Sequence, residues 1–320
     1  MTIQLPHINA EQATGKPMAE EVRADNITTE STTPTAKVVI DMRDVKTSFG
    51  TQVVHNGISL QVRRAEIFAL IGGSGSGKST LLREMIMLHQ ANAGQIQLLG
   101  VDLQGISAEA AFALRQRTGV MFQRGGLFDS LTLLDNVALP LREHTQLPDT
   151  FIGEIASAKL AMVGLQPEAS SKYPNEISGG MMKRASLARA IALDPELLFL
   201  DEPTAGLDPT SAAGVDELVL KLRDLYGLTI VIITHDMDLL WQVADRVAVL
   251  ADGKVQAIDT MSGLANNTHP AIQPFFAGPR GRAAQKLENS EYLAQPAMPA
   301  TLPIANVIKP ISENPSSIPK

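Results

Sequence analysis

The run Gly72-Gly73-Ser74-Gly75-Ser76-Gly77-Lys78-Ser79 fits the spacing G-x-x-x-x-G-K-[ST], and those residue types suit phosphate chemistry. Its glycines permit turn conformations closed to other residues, so consecutive backbone N–H groups can approach an anion at a helix N-terminus. Lys78 has the reach to meet the β- and γ-phosphates of a nucleotide, and the Ser79 hydroxyl suits Mg²⁺, with Thr80 completing the binding set. In isolation the run could be a flexible Gly/Ser turn. Its place between an expected strand and an expected helix is the context that the phosphate motif demands.

A second chemical signal follows the apolar run Leu197-Leu198-Phe199-Leu200, which ends in Asp201 and Glu202. A buried strand of that kind delivers both carboxylates to the carboxyl edge of a sheet, where open α/β folds bind ligands. Asp201 can hold a metal ion through water, and Glu202 can polarise or deprotonate an attacking water. Two carboxylates after an apolar strand are otherwise an ordinary helix cap. The upstream phosphate motif favours the catalytic pair.

These groups need elements to hold them. Short β-branched runs at 66–71, 119–122, 197–201, 228–234 and 246–250 alternate with helical stretches, which predicts an α/β sheet with helices on its faces. Helices are expected at 78–89, where Leu81, Leu82, Met85 and Ile86 form one apolar stripe, and at 210–225. Residues 38–45 and 58–62 alternate like half-exposed antiparallel strands. Residues 1–36, rich in Thr, Glu and Pro, are expected to be a disordered leader, and residues 278–320 a Pro-rich tail that resists regular structure. The folded region is then 37–277.

At 320 residues and 44% hydrophobic, the chain can build a sizeable core. A net charge of −7 argues against a surface that grips a phosphate backbone, so nucleic acid is not an expected partner. The absence of cysteine excludes disulfides and thiolate metal sites and suits a reducing compartment. The first residues lack a secretory signal, and no apolar run reaches the ~20 residues that a membrane span needs.

Further short motifs lie between and after the two chemical signals. Ile177-Ser178-Gly179-Gly180-Met181 opens a helical stretch at 183–193 and resembles the LSGGQ signature of ABC ATPases. Alone, Ser-Gly-Gly is a capped helix start. Gln123 resembles the Q-loop glutamine that senses Mg²⁺, Gly206-Leu207-Asp208 the D-loop, and His235 the switch histidine at the γ-phosphate. Phe49 stands where the family stacks an aromatic ring on adenine, although by itself it reads equally as a packing residue. All six elements in family order identify the chain as a member of the ABC family. The resemblance implies a P-loop NTPase fold of the ABC nucleotide-binding type, with a RecA-like core, an antiparallel β subdomain and a helical subdomain at about 125–193. It implies ATP and Mg²⁺ at Ser79, Gln123 and Asp201, and catalysis by Glu202, His235 and Lys78. It also implies a homodimer in which Ser178, Gly179 and Gly180 of one copy close the ATP site of the other.

Residues 124–145, with Gly125-Gly126-Leu127-Phe128 and Asp135-Asn136-Val137-Ala138-Leu139-Pro140, are similar to ATPases of the Mla/MCE phospholipid transport systems. Met181-Met182-Lys183-Arg184 likewise departs from the usual signature as those ATPases do. The resemblance implies an MlaE-type permease in the inner membrane, a periplasmic MCE-domain lipid carrier, phospholipid as cargo and a place on the cytoplasmic membrane face. It further offers residues 125–142 as the permease contact and 274–282 with the tail as a clasp on the second copy. An importer ATPase for a polar solute such as an amino acid would share every catalytic residue but not the wording of 125–145. A permease-free ABC protein acting on ribosomes or DNA would carry two cassettes or long coiled-coil insertions, and neither is present.

Overall fold

The computed structural model of the protein describes residues 37–277. The expected leader, the Pro-rich tail and most of the clasp segment lie outside the described residues. In chain order the first elements are β1 (Val38–Phe49), β2 (Gln52–Arg63), β3 (Ile67–Gly72), α1 (Lys78–Met85), β4 (Ala93–Leu98), β5 (Val101–Asp102) and α2 (Ala108–Gln116). Then come β6 (Thr118–Met121), α3 (Leu133–His144), α4 (Asp149–Met162), α5 (Gly179–Ala190), β7 (Leu197–Asp201) and α6 (Pro209–Tyr226). The last are β8 (Thr229–Ile233), α7 (Met237–Val243), β9 (Arg246–Ala251), β10 (Lys254–Asp259), α8 (Met261–Ala265) and α9 (Gln273–Phe276).

Strands β3 and β8 are buried at every position. Runs with no polar alternation are what strands covered on both faces require, and such strands pair in parallel. Accordingly β3 pairs in parallel with β8 and β9, β8 with β7, and β7 with β6, while β10 closes one edge antiparallel to β9. The order across this sheet is β10-β9-β3-β8-β7-β6. Neighbouring strands lie about 4.8 Å apart, so the loops leaving β3, β8, β7 and β6 open side by side at one edge. Those four loops carry the phosphate motif, His235, Glu202 and Gln123.

A second sheet, β2-β1-β4-β5, is antiparallel throughout. Its first two strands run well past the expected 38–45 and 58–62. The polar stretch Lys46-Thr47-Ser48 reads as a loop by composition, yet cross-strand pairing continues through Thr47↔His55 to Phe49↔Gln52, with register shifts absorbing the twist. Helix α1 is shorter than the expected 78–89. Its stripe is buried, but the chain turns at Met87 (φ 59°), and the amides of Leu88 and His89 both return to the Arg83 carbonyl. That turn frees Ala93–Leu98 to pair with β1.

Between β6 and β7, helices α3, α4 and α5 pack Val137, Leu141, Ile152, Leu160, Ala185 and Leu187 into an apolar cluster that continues beneath the parallel sheet. Helix α5 starts at Gly179, four residues before the expected 183, because the Ser178 hydroxyl accepts from the Met181 amide and caps it there. Gly119 on β6 has no room for a side chain, since a Cβ would come 2.1 Å from the Ala190 carbonyl at the end of α5. Close approach of that helix to the sheet fixes the signature segment relative to the strand ends. No helix among the described residues is long and apolar enough to cross a membrane.

Candidate functional site

The phosphate motif leaves β3 at Gly72 and enters α1 at Lys78. Gly72 is confined, because a Cβ would meet the Leu250 carbonyl and the Ser76 hydroxyl at 2.5 Å. Gly75 and Gly77 adopt φ of 78° and 94°, which a residue with a Cβ resists. Gly77 caps α1 without a side-chain partner, and the first turn carries no acidic residue. The helix therefore presents its first N–H groups to the loop, an arrangement that favours an anion. The Lys78 ammonium donates to the carbonyls of Gly72 at 2.7 Å and Gly73 at 2.9 Å, and lies 3.4 Å from the Ser76 hydroxyl. Burial pulls its pKa below the ordinary lysine value, against the opposing pull of Glu202 and Asp201. Ser74 and Ser79 are exposed and Thr80 is half-buried.

Asp201 and Glu202 leave β7 two strands away. Burial, followed by the neighbouring Glu202 charge, raises the Asp201 pKa, while Lys183, Arg83 and Lys78 act the other way. Glu202 is held in a left-handed conformation, φ 50°, with its amide donating to the Ile233 carbonyl at 2.8 Å. A non-glycine residue at positive φ marks a place where the surroundings dictate the backbone. The side chain is equally constrained. One carboxylate oxygen is 2.7 Å from Nδ1 of His235, and the other accepts from the Thr234 hydroxyl at 3.1 Å. Because β8 lies beside β7, the residues after β8 orient the carboxylate delivered by β7. His235 itself is largely exposed, at 77% of its side chain.

One residue of this site, quoted above only as part of the signature variant, has a place that its motif does not give. Lys183, on α5 and only 8% exposed, donates from Nζ to the Gln123 carbonyl at 2.7 Å and to the Glu202 carbonyl at 2.8 Å. Burial lowers its pKa, while Glu202 and Asp201 favour its charged form. A single ammonium thus joins the loop after β6, the loop after β7 and the signature helix. The available signal was its place one turn before buried Leu187 on α5, which puts a lysine on an inward face. Gln123 itself is exposed.

The remaining expected residues form a second group. Ser178 caps α5, and Gly180 lies against α6, where a Cβ would come 3.2 Å from the Ser211 hydroxyl. Asp208 caps α6 by accepting from the Ser211 amide at 3.0 Å and the Ser211 hydroxyl at 2.5 Å, bonds that lower its pKa. Among the described residues no hydrogen bond joins Ser178, Gly179 or Gly180 to the run 72–79. Phe49 ends β1, half-exposed at 49%, and stacks on His89 with ring centroids 4.9 Å apart.

Behind the second group, Asp216 of α6 is 6% exposed and one carboxylate oxygen has no hydrogen bond. Burial, then the charges of Asp236 and Asp238, push its pKa from 3.8 up to about 7. A raised acid pKa penalises the fold wherever the unfolded carboxylate is ionised. The penalty is absent below pH 3.8, grows as pH rises and is complete above about pH 7. Asp216→Asn should therefore raise Tm at pH 8 by several degrees and by clearly less at pH 5, as thermal melts at the two values would read.

A family model described as ABC transporter matches residues 55–205. The intermembrane phospholipid transport system ATP-binding protein MlaF of Escherichia coli (strain K12) is 39% identical over 240 residues, 75% of this chain and 89% of that protein. The probable ribonucleotide transport ATP-binding protein mkl of Mycobacterium leprae is 36% identical over 257 residues, 79% of this chain and 74% of that one. Among solved structures, the dimeric post-hydrolysis state of the ATP-binding cassette MJ0796 bound to ADP and Pi aligns with TM-score 0.64 at 27% identity, covering 69% of this chain and 98% of that one. The cassette cbiO1 from Clostridium perfringens aligns with TM-score 0.66 at 25% identity, over 80% of this chain and 98% of that one. Identity of this order along nearly the whole of MlaF, on a fold whose four adjacent strand ends carry the nucleotide motifs, makes the chain a member of the ABC transporter ATPases, which bind and hydrolyse ATP.

Proposed function

We propose that the chain powers phospholipid transport between the inner and outer membranes, as a homodimer on the cytoplasmic face of the inner membrane. The observation that carries this reading is the 39% identity to MlaF, a phospholipid transport protein, across 89% of its length. The wording of residues 124–145 and the Met181 signature support it.

In this reading ATP sits with its phosphates on the N–H groups of 73–80, and Lys78 exchanges the Gly72 and Gly73 carbonyls for phosphate oxygens. Phe49 stacks on the adenine. Glu202, aimed by Thr234 and His235, takes the proton of the attacking water, and His235 also donates to the γ-phosphate. Ser79, Gln123 and Asp201 supply hydroxyl, amide and carboxylate oxygens, an all-oxygen set that fits Mg²⁺. A cation there would also favour the ionised form of Asp201, which burial disfavours. When bound, Mg²⁺ offsets charge that develops on the β- and γ-phosphates.

The signature group, unlinked to its own phosphate loop, serves the second copy. Ser178, Gly179 and Gly180 reach the γ-phosphate held by the partner copy, with Asp208 at the same junction. ATP then favours the closed pair in proportion to these extra contacts. Residues 125–142 receive an MlaE-type permease, with Phe128 among them and Phe122 just before them exposing 49% and 39% of their surface. A periplasmic MCE-domain carrier completes the path.

Affinity purification of the chain from its native membranes tests the proposal. An integral membrane protein, an MCE protein and bound phospholipid should copurify. Recovery of a complex that holds a polar solute and no enriched phospholipid would overturn the lipid reading and leave the ATPase intact.

A further inference from the structure

Beneath the phosphate loop lies a polar cluster that the mechanism above does not use. Thr47 of β1, His55 of β2 and Glu84 of α1 are 1%, 0% and 1% exposed. Thr47 and His55 face each other across the hairpin, and α1 lowers Glu84 onto both. The Thr47 hydroxyl donates to one Glu84 oxygen. The other lies 3.4 Å from Nδ1 of His55. On its far side, Nε2 of His55 is 3.1 Å from the carbonyl of Gly77.

Hydrogen-bond logic fixes one proton. A carbonyl only accepts, so Nε2 must carry hydrogen. Nδ1 then faces the second carboxylate oxygen at 3.4 Å, and neither of these two buried atoms makes a hydrogen bond. On α1 Glu84 stands among the buried Leu81, Leu82 and Met85. A buried polar group is costly unless bonded. The cluster therefore persists only as a unit.

Its outlet is the loop. The Gly77 carbonyl also accepts the Leu81 amide at 2.9 Å, the first hydrogen bond of α1. Gly77 is the αL residue whose peptide aims the amide of Lys78, and a Cβ there would stand 2.5 Å from Nε2 of His55. Gly77 is thus held from behind by the antiparallel sheet, through His55, and from in front by the helix.

We propose that Thr47, His55 and Glu84 are positioning residues for nucleotide, a buried clamp that fixes the Gly77 peptide and so the N–H groups that meet the phosphates. The clamp ties the antiparallel sheet, which carries Phe49, to the phosphate loop, so both ends of one nucleotide would be positioned by one hairpin. It rests on the reading of 72–79 as the phosphate site.

The test replaces the pair by apolar residues of similar volume. His55→Phe with Glu84→Met removes both polar partners together, which protects the fold better than either change alone. In the full chain, binding of a fluorescent ADP analogue should weaken about tenfold, the size of one lost hydrogen bond to a charged group. KM for ATP should rise by a similar factor and kcat at saturation should stay within about twofold. Binding within twofold of the parent, with the same melting temperature, would overturn the clamp. If the parent itself fails to bind the analogue, the phosphate-site reading falls instead. A second measurement covers a double variant that does not fold. In the ¹⁵N-histidine spectrum of the parent chain, the His55 Nε2–H signal should be present and should shift when the ADP analogue is added. A His55 ring that ignores the nucleotide would overturn the proposal.

Discussion

Glu202→Gln is expected to slow steady-state ATP hydrolysis by about 100-fold or more, the range for loss of a positioned general base, while ATP binding is retained. The reason is geometric. Glu202 is held by a left-handed backbone, by Thr234 and by His235, so its carboxylate has one orientation. The amide keeps the volume and can still bond Thr234 and His235, but it cannot accept the water proton. ATP should therefore drive the variant into a stable dimer that fails to turn over. Phosphate release and size-exclusion chromatography with ATP measure the two halves of the prediction. Hydrolysis at the parent rate would remove Glu202 from the role of base.

Lys183→Met is expected to damage both stability and turnover. Methionine keeps most of the length and removes the donor, so the Gln123 and Glu202 carbonyls lose a charged partner bonded at 2.7 and 2.8 Å. The two carbonyls are part-buried, so leaving them unpaired costs at most about 1–3 kcal/mol each, which should appear as a drop of a few degrees in Tm. The same loss frees the peptide of Glu202, so kcat should fall by about tenfold or more, the size of a small misplacement of a reacting group. Lys183→Arg should recover part of both, because a guanidinium can still donate to two carbonyls. An unchanged Tm together with an unchanged kcat in Lys183→Met would show that the ammonium holds neither loop. This residue lies on α5, so its bonds give that helix a direct mechanical link to the loops after β6 and β7. Movement of α3, α4 and α5 relative to the parallel sheet would have to break or carry these bonds.

The two variants separate chemistry from placement. Glu202→Gln removes a proton acceptor and leaves the scaffold. Lys183→Met leaves every reacting group and loosens the scaffold that aims one of them. Together with Asp216→Asn, whose benefit depends on pH, they probe the three ways in which charge is used around this site.

Much of this site is written in the sequence because its parts are local. A glycine-rich turn before Lys78, an apolar strand ending in Asp201 and Glu202, and a Ser178 cap each declare themselves within a few residues, and each is where its local pattern places it. Strand runs that are buried on both faces are equally plain, since they lack polar alternation. The polar ends of β1 and β2 were not, because their pairing and the burial of Thr47 and His55 depend on α1 arriving from a distant part of the chain. Helix α1 ended early for a similar reason, the competing pairing of β4 with β1.

What the sequence by itself determined is therefore the set of candidate site residues and their order along the chain. The tertiary structure alone decided their order in space, β3-β8-β7-β6, which sets His235 between the phosphate loop and Glu202. It also decided the fate of Lys183, His55, Glu84 and Asp216, charged or titratable residues that composition assigns to the surface. Their burial is a property of partners dozens of residues away, because desolvating such a group is tolerable only where the fold supplies a partner or shifts its protonation.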